Sequence, residues 1–79
     1  MSKKERFKIG DAWVIEEDFC FSVGVESEGI VDYVSPGDPA EEIAAKTRAW
    51  SRAYGWPLDS LRRMVKRHLK RIAPAVVGQ

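Results

Sequence analysis

Cysteine occurs once and histidine once in this chain of 79 residues. A single thiol, Cys20, excludes an internal disulfide and every zinc finger built on paired cysteines, and it fits a reducing cytosol. With His68 as the sole imidazole, nitrogen and sulfur ligands are too few for a zinc site, so neither metal nor cofactor is expected. No apolar run approaches the roughly 18 residues of a membrane span. The start, MSKKERFKIG, is basic but leads into no apolar core, so no secretory signal is expected. The expectation is a soluble, cytoplasmic protein.

Charge of one sign is missing twice. No Lys or Arg stands between Lys8 and Lys46, where the average density of 13 in 79 would place about six. After Glu42 the only acid is Asp59, against Lys46, Arg48, Arg52, Arg62, Arg63, Lys66, Arg67, Lys70 and Arg71. The net charge of +1 therefore hides an acidic middle and a basic last third, an asymmetry that points to charged partners.

What is present is enough for one small domain over 1–79: 44% apolar residues and 10% aromatics supply a modest core. Three strands are expected. AWVIE (12–16) is short and apolar. FCFSVGVE (19–26) alternates, with Phe19, Phe21, Val23 and Val25 on one face. GIVDYVS (29–35) alternates as well, and the short links EED and SEG suit antiparallel hairpins. SPGDPAEE then reads as a helix start, with Asp38 as cap, Pro39 in the first turn and Glu41 at capping-box spacing. That helix is expected over 39–54, with Ile43, Ala44, Thr47, Trp50 and Tyr54 on one stripe and Gly55 as its left-handed stop. A second helix, 57–73, carries Leu58, Leu61, Val65, Leu69 and Ile72 at 3-4 spacing and ends at Ala73-Pro74. The fold class is α+β: a small antiparallel three-stranded sheet packed by a helical hairpin, with a flexible basic N-terminus (1–6) and a short C-terminal tail (74–79).

Three constellations compete for function. On the second helix, Arg62, Arg63, Lys66, Arg67, Lys70 and Arg71 fill a continuous polar arc opposite the leucines. Along a helix roughly 24 Å long they can track several phosphates of DNA or RNA. Any amphipathic helix also needs a solvated face, but solubility alone does not require six bases without an acid. A helix-turn-helix at TRAWSRAYGWPLDSLRRMVKR is a weaker match, because Trp50, Tyr54 and Trp56 are bulky for so tight a turn. On the sheet, Glu16, Glu17, Asp18, Glu26, Glu28 and Asp32 suggest an acidic surface. Alternate residues on a strand lie about 6.6 Å apart, close to the spacing of successive phosphates. Such a face would suit a basic groove built for nucleic acid. Asp38, Glu41 and Glu42 are accounted for by helix capping. The third constellation is aromatic: Trp13, Trp50, Tyr33 and Tyr54 read mainly as core, while Trp56 beside Pro57 reads as a possible exposed interface anchor.

Catalysis finds little support. Cys20 has no local activating signature, and it would need His68 beside it in space. Paired carboxylates occur as EED and AEE but with no phosphate loop or metal spacing.

The acidic block DAWVIEEDFCFSVGVESEGIVD on a small sheet-and-helix plan resembles small phage-encoded inhibitors of bacterial defence of the anti-CRISPR type. The resemblance is of architecture and charge layout, with no diagnostic motif. It implies a non-enzymatic protein that binds a nucleic-acid-handling complex and occludes its nucleic-acid site. The basic LRRMVKRHLKR departs from a pure DNA mimic and suits a small DNA- or RNA-binding regulator, or an inhibitor that also contacts guide RNA or an acidic protein surface. A structural subunit that associates through the aromatic helix hairpin is the third expectation.

Overall fold

In the computed structural model, residues 3–9 and 11–76 are described, with side chains from 11 to 75. Strands β1 (Lys3–Ile9), β2 (Ala12–Glu16), β3 (Phe21–Val25) and β4 (Gly29–Val34) precede helices α1 (Ala40–Tyr54) and α2 (Leu58–Val76). The strands form one antiparallel sheet in the order β1-β2-β3-β4, and the helical hairpin covers one face of it. The α+β class and the hairpin are as the sequence predicts. The added strand is β1: Lys4 pairs with Ile15 and Glu5 with Val14, where a flexible basic N-terminus over 1–6 was expected. Residues 1 and 2 of that segment lie outside the described residues.

Alternation builds the inner face. Ala12 and Val14 of β2 stand opposite Val25 and Val23 of β3, and Phe21 stands opposite Val34 of β4. These side chains meet Trp50 of α1 and Leu61, Val65 and Leu69 of α2 in one buried cluster. Phe21 lies at its centre, stacked on Trp50 at 6.2 Å between ring centroids. Fully burying a side chain of this size stabilises by about 2–3 kcal/mol, so the core rests on a few such contacts.

The outer face departs from the expected acidic row. Trp13 and Ile15 of β2 lie across from Gly24 and Ser22 of β3. A Cβ on Gly24 would stand 2.9 Å from Trp13 Cζ2, so the indole needs glycine beneath it. Between Val23 and Gly24 the register with β4 slips by one residue. That bulge turns Ile30 to the outer side, whereas unbroken alternation places it with Asp32 and Val34. Ile30 is consequently exposed, and Val31 and Tyr33 are exposed as well.

Several local expectations change for identifiable reasons. Phe19 and Cys20 fall outside β3, because Glu17 N–H donates to Cys20 O and folds 17–20 into a tight turn. Phe19 therefore points to solvent at 63% exposure instead of into the core. Asp38 does not cap α1. Its Oδ2 accepts from Ser35 N–H at 2.9 Å, bracing the preceding loop, and Pro39 occupies the cap position with no side-chain bond. Ala44 is exposed, so it leaves the buried stripe of α1. Gly55, at φ 72°, ends α1 as expected, with its N–H donating to Ser51 O at 2.9 Å. Trp56 is 2% exposed and packs on Tyr54 at 4.9 Å, so it is a core residue and no interface anchor. Pro74 does not end α2. It lies in the last turn, where a missing N–H removes one i→i−4 bond and the helix still closes at Val76. Residues 77–79 of the expected tail lie outside the described residues.

Candidate binding surface

Glu16 ends β2 on its inner side and is 5% exposed. Its Oε1 accepts from Arg71 Nη2 at 2.8 Å and lies 3.6 Å from His68 Nδ1. His68 is buried in turn. Its Nε2 approaches Glu17 O at 2.6 Å and Cys20 O at 3.0 Å. Carbonyl oxygens only accept, so Nε2 carries the proton. Nδ1 then accepts from Arg71 Nη2 at 2.8 Å, which defines a neutral ring with both nitrogens engaged. His68 holds the β2–β3 turn onto α2. It touches Cys20 through the carbonyl, while the thiol lies 3.3 Å from Ser22 Oγ, so the two residues do not form a thiol–imidazole pair.

The other acids disperse. Glu17 Oε2 accepts from Ser22 Oγ at 2.6 Å, and Asp18 stands exposed at the tip of the same turn. Asp32 faces inward. Its Oδ2 accepts from Trp50 Nε1 at 3.2 Å, and its Oδ1 lies 3.3 Å from Lys46 Nζ. The hydrogen bond to Asp32 holds the Lys46 ammonium above its ordinary pKa, aided by the nearby charges of Glu42 and Asp38. Glu26 and Glu28 are exposed in the β3–β4 turn, beside Asp11, whose carbonyl takes the Glu26 N–H at 2.9 Å. That turn and Asp18 lie at opposite ends of β3, about 13 Å apart along the strand. The six acids do not form one face. Two of them, Glu16 and Asp32, receive through tertiary contact the cations missing from their stretch of sequence.

The bases stay together. Arg62, Arg63, Lys66, Arg67 and Lys70 are all exposed on α2, and none is paired with a carboxylate among the described residues. Arg71 is the exception, turned back to Glu16. The five divide into two rows. Arg63 and Arg67 are exposed outside the groove between the helices. Arg62, Lys66 and Lys70, about 6 Å apart along the axis, line one side of a groove between the helices. The groove encloses about 470 Å³; Ala40, Ile43 and Ala44 form its α1 wall, and Val65 and Leu69 its floor. Neither Lys46 nor Ala40 was singled out from the sequence, which placed Ala44 on the inner stripe of α1. The i, i+4 spacing of Ala40 and Ala44 beside Ile43 was the available signal.

Among the described residues no group of three His, Cys, Asp or Glu side chains could hold a metal ion, and no helix is long and apolar enough to cross a membrane. No family model, curated protein or solved structure matches the chain.

Proposed function

We propose that this is a non-enzymatic interaction protein whose working surface is the basic face of α2, binding DNA or RNA through phosphate contacts. One observation carries the reading: Arg62, Arg63, Lys66, Arg67 and Lys70 are all exposed and adjacent on a single helix, with no carboxylate paired to them among the described residues. Such a row tracks a phosphate backbone and releases counterions, so affinity falls steeply as salt rises. The free Cys20 thiol suits action in a reducing cytoplasm.

The inhibitor reading, in which an acidic sheet occludes the nucleic-acid site of a CRISPR-type complex, has less support. Glu16 and Asp32 are engaged by Arg71 and Lys46, and of its six acids Asp18, Glu26 and Glu28 are the exposed ones. Gel shifts at graded salt test the choice. Duplex and single-stranded probes are expected to bind, with log affinity linear in log salt and a shallower slope for Arg63→Ala/Arg67→Ala. Absence of any shift at low salt refutes the reading.

A further inference from the structure

We infer that the groove between α1 and α2 is a docking site for an acidic amphipathic helix of a partner protein. This goes beyond nucleic-acid binding and draws on three of the five cations of that face, Arg62, Lys66 and Lys70, which line the groove. The floor is apolar: Val65 and Leu69 lie at its base, with Ile43 and Ala44 on the facing helix. A phosphate backbone has no use for such a floor. Base stacking is equally unsuited, because none of the described residues lining the groove is aromatic. An amphipathic helix matches both features, since leucine-like side chains at i, i+3 and i+7 would fill the floor.

Charge selects the partner. Arg62, Lys66 and Lys70 repeat every four residues along one rim, the same rise that separates acids at i and i+4 on a helix laid alongside. Ala40 and Ala44 leave the opposite wall low, which lets a third helix approach closely. The cationic wall from Arg62 to Ala73 runs about 16 Å, the length of an eleven-residue helical segment. A second copy of this chain offers no such helix. The only acids on its helices are Glu41 and Glu42 in the first turn of α1 and Asp59 in the first turn of α2.

The test uses stapled helical peptides of about 14 residues, because unstapled helices this short are marginal in water. One carries leucines on one face flanked by glutamates, a second replaces the glutamates with lysines, and a third scrambles the first. Fluorescence anisotropy is expected to show saturable binding of the first and at least about tenfold weaker binding of the other two. Ala44→Glu places an anion on the open wall opposite Lys66 and should lower affinity about tenfold. Lys70→Glu provides the same reading should Ala44→Glu unfold the hairpin, which circular dichroism would show. Arg63→Ala/Arg67→Ala should leave peptide affinity within about twofold while weakening the gel shift, so failure of the nucleic-acid reading and of this one are distinguished. Equal binding of the scrambled peptide, full affinity in folded Ala44→Glu and Lys70→Glu, or no saturable binding overturns the inference.

Discussion

Arg71 Nη2 lies 2.8 Å from Oε1 of Glu16, a carboxylate fifty-five positions earlier in the chain and 5% exposed. The contact ties the last turns of α2 to the end of β2, and His68 shares the same guanidinium nitrogen. An acid that reads as surface charge is thereby part of the interior.

Removing that acid should be felt in stability. Glu16→Ala leaves a buried gap and strips Arg71 of its carboxylate partner, but the Arg71 side chain is 57% exposed and rehydrates readily. The expected loss is about 1–3 kcal/mol in urea denaturation, typical of a hydrogen bond to a charged group. A double-mutant cycle with Arg71→Ala should return a coupling of at least about 0.5 kcal/mol. Additive losses would show that the pair contributes nothing specific.

Lys46 sets an alkaline limit. Its folded-state pKa is raised above the ordinary 10.5, first by the hydrogen bond to Asp32. The stability it contributes is therefore complete below pH 10.5 and lost as pH rises through the higher folded value. The difference in melting temperature between the wild type and Lys46→Met should be constant from pH 7 to about 10 and shrink above that. A difference that grows with pH contradicts the assignment.

Gly24→Ala tests the outer face. The new methyl would stand 2.9 Å from Trp13 Cζ2 and 3.0 Å from the carbonyl oxygen of Gly29. Overpacking of this kind typically costs about 1–3 kcal/mol. Adding Trp13→Leu should recover part of the loss, because the indole can retreat while the backbone oxygen cannot. No recovery would place the strain in the β3–β4 pairing alone.

Trp56→Ala should lower stability by about 3–5 kcal/mol, as expected for a buried aromatic. The measurement is the shift in denaturant midpoint at unchanged slope. A loss below about 0.5 kcal/mol, the range of surface substitutions, would restore Trp56 as an exposed anchor.

Reversing Glu26 and Glu28 to Lys should change stability by less than about 0.5 kcal/mol, because both are exposed in a turn. Nucleic-acid affinity should rise with the added positive charge. Lower affinity would argue that these acids position the ligand instead of opposing it.

Much of this architecture was legible in the residues themselves. Alternation at Phe21 and Val23, the leucine stripe of α2 and the glycine stop at Gly55 are local periodicities, and each element they imply is present. The basic row was legible too, since five charges on one helix need only the helix to be brought together. Three readings failed where another contact outcompetes the local rule applied to the residue. Asp38 finds a better donor in the loop behind it than in the helix ahead. Ile30 changes face because one bulge reverses a period of two. Trp56 turns inward onto Tyr54 because the hairpin gives it a neighbour.

Composition and periodicity alone determined the helical hairpin, the apolar faces and the separation of charge into an acidic middle and a basic end. Only the tertiary structure decided which of those charges remain free. Glu16 leaves the surface because its contact with Arg71 offsets the desolvation of a buried carboxylate, and Asp32 stays partly exposed but is paired with Lys46. The α2 row keeps its place because no carboxylate among the described residues packs against it.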